Sequence, residues 1–305
     1  MTNTAQSLSD ALAAAVEKAA QSVARVDARN HIPASGIVWS ADGEILTADH
    51  VVRRDENITV TLPDGSDHQA KILGRDPRSD LALLKVDTKG LTVPEFNESL
   101  NVGHLVFAVG RPDTVQASLG NVVSVELSDF VIELGPGGEH GPRRRRGHAF
   151  IQSDVTMYPG FSGGPLADAS GRVAGINSSA LARGASLSLP VATARAVADA
   201  LRKDGRVKRG YIGIGTQPVA LADDVAAKLD QRTGLMLINV EKDSPAAKGG
   251  LLQGDVLVGL AGRAVHDIED LQMALGPETV GKGVVVKVVR GGEVKEMSVM
   301  VGVRE

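Results

Sequence analysis

Short β-branched runs alternate with glycine-containing turns between residues 36 and 177, and this pattern constrains the fold more than any other feature. Turns such as Ala41-Asp42-Gly43 and Pro63-Asp64-Gly65 separate runs that are typical of strands. The predicted strands lie at 37–39, 45–47, 58–62, 69–73, 81–86, 106–109, 121–126, 149–152, 165–167 and 172–177. So many short strands predict a mainly β fold, a sandwich or barrel built from one or two compact units.

Composition narrows the possible chemistry. The chain has 305 residues, a length that suggests about two domains. It contains no cysteine. Disulfides, cysteine nucleophiles and thiolate zinc sites are therefore excluded. Only 5 Phe, 2 Tyr and 1 Trp are present, so the cores must consist of aliphatic side chains. The net charge of −4 gives no general attraction to nucleic acid or to an anionic membrane, and we expect neither as a partner.

Helical periodicity marks the two ends of the β region. Apolar residues at intervals of three or four predict a helix over 5–26, whose last residues could instead be extended. A second helix is predicted over 191–203, with Gly205 as its stop, and the charged segment 203–209 follows. We therefore predict an N-terminal helical segment at 1–30, a β domain at 31–205 and a further domain at 206–305.

The last domain has the size and mixture of a small α+β module. Its predicted elements are strands at 211–214, 235–240 and 256–260, helices at 221–229 and 268–275, and a hairpin around 290–293.

Three polar residues stand in sequence contexts that suit acyl transfer. His50 ends an apolar strand, Asp80 leads into another, and Ser162 lies in Pro159-Gly160-Phe161-Ser162-Gly163-Gly164. Each alone is explained by a surface histidine, a turn aspartate or a tight turn. Together they could supply a serine nucleophile, the histidine base that it needs, and a carboxylate that orients the base.

The glycines around the serine have a chemical use as well. The tetrahedral intermediate of acyl transfer carries negative charge on an oxygen, and backbone N–H groups can bind that oxygen. We expect the N–H groups of Gly160 and Ser162 to form this oxyanion hole.

The three motifs, T-A-D-H-V-V, D-P-R-S-D-L-A-L-L-K and P-G-F-S-G-G-P-L, resemble those of the HtrA/Deg family of trypsin-like serine proteases in order and spacing. The resemblance implies a chymotrypsin-like double β-barrel followed by a PDZ domain. It also implies that His50, Asp80 and Ser162 are catalytic, without a cofactor, and that unfolded or damaged proteins are the substrates. The alternative is a chaperone-like or PDZ adaptor protein with little proteolytic activity.

The same resemblance extends to the C-terminal module. Tyr211, Ile212, Gly213 and Ile214 are similar to the carboxylate-binding loop of PDZ domains, where successive N–H groups bind the end of a peptide. The helix at 268–275 would line the peptide groove, so peptide C-termini or extended segments are the expected partners.

Several residues depart from the family pattern. Phe161 replaces the usual asparagine before the nucleophile, and it could shape the pocket or alter substrate choice. Thr156, six residues before Ser162, offers no charge for a Lys or Arg side chain, so the resemblance implies small or medium aliphatic side chains at the cut.

The family implies a homo-oligomer, by default a trimer, although the first 38 residues lack the aromatic residues of the usual clasp.

One basic run, Arg143-Arg144-Arg145-Arg146, lies in the insertion at 135–147. A solvated loop explains the run. The alternatives are a self-cleavage site and a basic patch that binds an anionic partner. His140 and His148 flank the run without companions at ligand spacing, so we predict no metal site.

The N-terminus lacks the pattern of a signal peptide, since nothing basic precedes Lys18 and Glu17 closes the short apolar stretch. The chain as written is therefore expected in the cytoplasm, or in the periplasm or another envelope location if a leader was removed.

Overall fold

The computed structural model describes residues 4–30, 32–125, 150–181 and 184–303, and it traces two further strands at Phe130–Ile132 and Arg143–Arg145. Contacts divide the chain into two compact units, the first ending at Val207 and the second beginning at Lys208. Within the described ranges, no helix is both long enough and apolar enough to cross a membrane.

In its described residues, the first unit contains helices α1 (Thr4–Ala20) and α2 (Val191–Asp204) at its ends and fourteen strands between them. Its first six strands are β1 (Val23–Asp27), β2 (Ala34–Ser40), β3 (Glu44–Ala48), β4 (Ile58–Thr61), β5 (Asp67–Asp76) and β6 (Leu81–Val86). The others are β7 (Leu105–Gly110), β8 (Gln116–Ser124), β9 (Phe130–Ile132), β10 (Arg143–Arg145), β11 (Ile151–Ser153), β12 (Pro165–Asp168), β13 (Val173–Ser178) and β14 (Ser186–Pro190).

These strands form two closed barrels, as expected of a chymotrypsin-like fold. The first has the order β1-β2-β3-β6-β5-β4 and the second β11-β14-β13-β12-β7-β8, while β9 and β10 pair separately. Successive residues of β3 pack into different clusters, because Ile45 faces the interior of the first barrel whereas Leu46 faces the layer that holds α2. Both faces of this strand are buried, which explains why the successive residues Ile45 and Leu46 are both apolar.

The N-terminal segment differs from the prediction for residues 1–30. Helix α1 ends at Ala20, and β1 pairs with both β2 and β4, so the first barrel already includes Val23–Asp27. The spacing of Val23 and Val26 suits one face of a helix, but in the strand they lie on opposite faces, Val26 in the barrel interior and Val23 against α1. The last residues of the predicted helix are therefore extended, which was the alternative. Helix α1 packs its buried Ala15 and Ala19 against β7 and β12 of the second barrel.

Helix α2 ends the first unit as predicted, since Gly205 caps it in the left-handed conformation at φ 69°. Its apolar face joins the layer between the barrels. Arg202 also forms a two-pronged ion pair with Glu44, with Nε–Oε1 and Nη2–Oε2 distances of 2.7 Å. The Arg202 hydrogen bond lowers the pKa of the Glu44 carboxyl against the opposing effect of burial.

The second unit is a mixed α+β module whose main sheet has the order β16-β17-β18-β20-β21, with β19 beside β18 and β15 paired with β22. Its strands are β15 (Gly210–Tyr211), β16 (Ile214–Ala220), β17 (Thr233–Val240), β18 (Val256–Leu260), β19 (Arg263–Ala264), β20 (Gly283–Arg290), β21 (Glu293–Met300) and β22 (Gly302–Val303). Its helices are α3 (Asp223–Leu229), α4 (Pro245–Lys248) and α5 (Ile268–Ala274). The single strand predicted at 211–214 is divided between β15 and β16, because Gly213, at φ 77°, interrupts the extended conformation between them.

Candidate active site

His50 and Asp80 form a hydrogen-bonded pair at the end of the first barrel. His50 lies in a short 3₁₀ turn, Asp49–Val51, that follows β3, and Asp80 immediately precedes β6. The distance from His50 Nδ1 to Asp80 Oδ2 is 2.8 Å, and the His50 main-chain N–H donates to Asp80 Oδ1 at the same distance. A carboxylate in this position fixes the orientation of the imidazole and leaves Nε2 available as a base.

The backbone also holds the two residues together. Asp80 is left-handed at φ 57°, a conformation that aspartate tolerates better than most side chains, and its carbonyl accepts the N–H of Asp49 at 3.0 Å. The Asp80 residue is 6% exposed, whereas the His50 side chain keeps 21% of its surface exposed. The carboxylate is thus shielded while the histidine can meet a substrate.

Arg75 ties the histidine turn to strand β5. Its guanidinium contacts Asp49 Oδ1 at 2.6 Å and the carbonyl oxygen of Val52 at 2.7 Å, on either side of His50 along the chain. Asp55 adds a longer ion pair at 3.3 Å. The planar guanidinium of Arg75 therefore joins both ends of the turn that carries the imidazole.

Ser162 lies in a turn before β12 of the second barrel and is 6% exposed. The next residue, Gly163, has φ 85°, and a Cβ there would lie 2.2 Å from the carbonyl oxygen of Ser35. Its N–H donates to the carbonyl of Asn177 on β13 at 2.8 Å. The glycine therefore allows the serine turn to pack directly against the neighbouring backbone.

The predicted oxyanion donors lie in the same turn. Gly160 has φ 92°, and its carbonyl accepts the hydroxyl of Ser35 at 2.7 Å. Among the described residues, no hydrogen bond engages the N–H groups of Gly160 and Ser162. Both donors are consequently available to a developing negative charge.

Two serines that the sequence analysis did not assign to the site contribute to it. The Ser178 hydroxyl donates to Asp80 Oδ2, the oxygen that faces His50. The neighbouring Ser179 contacts Ser162, with its Oγ 3.0 Å from Ser162 Oγ and its N–H 3.3 Å from the same atom. The run Asn177-Ser178-Ser179 at the end of β13 was the available sequence signal, but it gives no indication of its spatial neighbours.

Phe161 faces the interior of the second barrel. Its side chain is fully buried, belongs to the core cluster that includes Val106 and Leu166, and meets the Tyr158 ring edge-on at 5.5 Å between centroids. Thr156 is exposed, and its carbonyl accepts the Ser118 hydroxyl at 2.7 Å. Phe161 therefore anchors the turn that carries Ser162 in the core of the second barrel.

The loop that resembles a carboxylate-binding site joins β15 to β16 in the second unit. The carbonyl of Ile212 accepts the N–H of Ala246 at 2.8 Å, and that of Gly213 accepts the N–H of Glu241 at 2.9 Å. Hydrogen bonds of the described residues leave the N–H groups of Ile212 and Gly213 open. Tyr211 donates its hydroxyl to the Glu241 carboxylate, and Ile214 begins β16.

Two other sequence predictions concern charged groups. The side chains of Arg143, Arg144, Arg145 and Arg146 lie outside the described residues, as do His140 and His148. In the described ranges, no group of three or more His, Asp or Glu side chains could hold a metal ion.

Comparisons with known proteins agree with the two units. The profile of the trypsin-like peptidase domain matches residues 34–176, and that of the PDZ domain matches 210–301. Fold and site thus define a trypsin-like peptidase domain followed by a PDZ domain. The chain belongs to the HtrA/Deg family of trypsin-like serine proteases.

Individual relatives give the extent of the similarity. The chain is 38% identical over 276 residues to a protein of Ectopseudomonas mendocina named "Probable periplasmic serine endoprotease DegP-like", covering 88% of this chain and 56% of the relative. A protein of the same name from Chlamydia muridarum is 35% identical, with 91% and 55% covered. The chain therefore spans about half the length of the curated relatives that it matches.

Solved structures match over nearly their whole length. The HtrA-type protease AlgW with a decapeptide has a TM-score of 0.75 and 26% identity, covering 96% of this chain and 99% of that one. The serine endoprotease from Yersinia pestis has a TM-score of 0.73 and 27% identity, covering 95% and 97%.

Proposed function

We propose that this chain is a serine endopeptidase that cleaves unfolded or damaged polypeptides. In this proposal Ser162 attacks the peptide carbonyl, His50 takes and returns the proton, Asp80 orients His50, and the N–H groups of Gly160 and Ser162 bind the oxyanion. The observation that carries it is the His50–Asp80 pair at 2.8 Å, which Ser178 and Ser179 link by hydrogen bonds to Ser162 on the other barrel, in a turn with two unengaged N–H donors. The relatives named as serine endoproteases support the same activity.

A serine-directed fluorophosphonate tests the nucleophile directly. Wild-type protein should be labelled on Ser162, and Ser162→Ala should lose the label while keeping its circular dichroism spectrum. A wild type that is folded but unlabelled, even with a PDZ-binding peptide present, would support the chaperone-like or adaptor alternative. Suppression of client aggregation that is equal in wild type and Ser162→Ala would then assign the function to binding.

The substrate class can be tested with one protein in two states. Reduced, carboxymethylated α-lactalbumin should be cut, whereas the native, calcium-loaded form should resist. Mass spectrometry of the products reports the residue before each cut, which we propose to be small or medium aliphatic. Equal cleavage of both forms would contradict a preference for unfolded chains.

For the second unit we propose binding of peptide C-termini or extended segments. Strand β16 lies at one edge of its sheet, so a peptide can add there as a further strand, with α5 as the expected other wall. The open N–H groups of Ile212 and Gly213, in the loop formed by Tyr211, Ile212, Gly213 and Ile214, would bind the terminal carboxylate. An apolar peptide with a free carboxylate should bind more tightly than its C-terminal amide in a fluorescence polarisation assay.

We also propose a homo-oligomer, with a trimer as the first expectation from the family. Light scattering coupled to size-exclusion chromatography measures the mass directly. The aromatic clasp is absent from the first 38 residues, so a trimer would have to use other contacts.

The cell envelope is the location that we propose, because relatives at 35–38% identity are named as periplasmic. Fractionation of the native host with an antibody against this chain tests it. Recovery with cytoplasmic markers would contradict the proposal.

A further inference from the structure

The hydroxyl of Ser162 is engaged by Ser179. Ser162 Oγ lies 3.0 Å from Ser179 Oγ, and the Ser179 N–H donates to the same oxygen at 3.3 Å. In the described part of the chain, these are the hydrogen bonds of the Ser162 side chain, and none joins it to His50. The two halves of the proposed triad are therefore not connected in this structure.

Connection to the base is what activates a serine. The hydroxyl must hydrogen-bond the imidazole before its proton can be transferred as the oxygen attacks. Whichever hydroxyl is the donor in the Ser162–Ser179 pair, Ser162 commits its proton or a lone pair to Ser179. If Ser162 is the donor, its proton must turn from Ser179 to His50 before attack. If Ser162 is the acceptor, the Ser179 hydroxyl and N–H occupy both lone pairs of the attacking oxygen, and one of these bonds must break first.

Ser179 is well placed to hold the hydroxyl, because its neighbours are anchored. Ser178 is bonded to Asp80, and the N–H of Ala180 donates to Ser178 Oγ at 3.1 Å. The main chain of Ser179 is thus fixed on both sides, whereas its side chain is exposed. Replacing that side chain leaves the core and the His50–Asp80 pair untouched.

We propose that Ser179 is a positioning residue that holds the Ser162 hydroxyl away from His50 and so lowers its reactivity. The inference rests on the proposed endopeptidase function. One hydrogen bond between neutral groups changes an equilibrium by about two- to tenfold, and this sets the expected size of the effect.

The test compares Ser179→Ala with Ser179→Thr, which keeps a hydroxyl, and with Ser170→Ala, which removes a serine hydroxyl from a distant turn. We expect Ser179→Ala to be labelled by a fluorophosphonate about two to ten times faster than wild type. On a peptide substrate its kcat should rise by a similar factor with an unchanged KM, because the exchange follows substrate binding. Ser179→Thr and Ser170→Ala should react at the wild-type rate.

Two results would overturn the inference while leaving the proposed function intact. One is a Ser179→Ala variant that is labelled at the wild-type rate or more slowly. The other is a Ser179→Thr variant that reacts as fast as Ser179→Ala, since the gain would then not come from loss of a hydroxyl. If folded wild type and Ser179→Ala both remain unlabelled, the endopeptidase function itself fails, and this inference fails with it.

Discussion

The Ser178 hydroxyl donates a hydrogen bond to Oδ2 of Asp80, across the junction between the two barrels. Ser178 ends β13 of the second barrel, whereas Asp80 precedes β6 of the first. Since Oδ2 also faces His50 Nδ1, the second barrel contributes to the orientation of a base that the first barrel carries.

This arrangement predicts a graded series of variants. Asp80→Asn should lower kcat about ten-thousandfold, because the amide favours the wrong imidazole tautomer. Ser178→Ala removes one of several bonds to a charged group, so its kcat should fall only about tenfold. Steady-state cleavage of a peptide substrate measures both, and a Ser178→Ala loss as large as that of Asp80→Asn would contradict the supporting role.

Arg75 gives a second prediction, concerning the turn that carries His50. Arg75→Ala removes the contacts to Asp49 and to the carbonyl of Val52, and it leaves the largely buried Asp49 carboxylate without its ion pair. We expect a loss of about 1–3 kcal/mol in the free energy of unfolding, discounted for the partial exposure of Arg75, together with a lower kcat.

Lys18→Ala is the matched control for Arg75→Ala, because the Lys18–Glu95 pair is exposed on both sides and should contribute about 0–1 kcal/mol. Urea unfolding measures both losses. Equal losses would show that the Arg75 contacts do not support the turn.

Acid should weaken the ion pair between Arg202 of α2 and Glu44 of the first barrel. The pKa of Glu44 is lowered in the folded chain by the Arg202 hydrogen bond, so the pair stabilises the fold above the ordinary value of 4.5 and loses its effect as pH falls through the lowered value. We expect Arg202→Ala to cost about 1–2 kcal/mol at pH 7, a difference that shrinks below about pH 4.5. Urea unfolding from pH 3 to 7 measures the difference.

Glu44→Gln serves as the control for the acid effect, because it removes the titrating group while keeping the shape. Substitution of Arg202 in that background should produce a difference that stays flat across the same pH range. A difference that still declined with acid would assign the effect to another carboxylate.

Gly213 provides a prediction for the second unit. A Cβ at this position would lie 2.3 Å from Ser244 Cβ, and φ is 77°. Gly213→Ala should therefore shift the loop whose open N–H groups are proposed to bind a carboxylate, and weaken peptide binding at least tenfold. Gly250→Ala is the control, because Gly250 has a similar φ of 80° but a Cβ there would meet no atom within 4 Å. It introduces the same backbone strain without a clash at the loop, so it should leave peptide binding unchanged.

The locally encoded parts of the site were predictable from sequence. The structure places His50 after β3, Asp80 before β6 and Ser162 in the turn before β12, which are the local settings that the three motifs predict. The contributions of Ser178 and Ser179 were not predictable, because they depend on which loop of the first barrel meets the end of β13. The end of α1 was left open between helix and strand for a different reason: the valines at 23 and 26 have helical spacing, yet both are buried on opposite faces of β1, and pairing with β2 and β4 decides for the strand.

The position of α1 has a consequence for the order of folding during synthesis. All six strands of the first barrel lie between Val23 and Val86, so this barrel can close as soon as that stretch has left the ribosome. Helix α1 is made before it but packs on β7 and β12, and the second barrel is complete only when β14 ends at Pro190. Helix α1 therefore cannot bury its alanines until strands more than 80 residues further along the chain have been synthesised and folded.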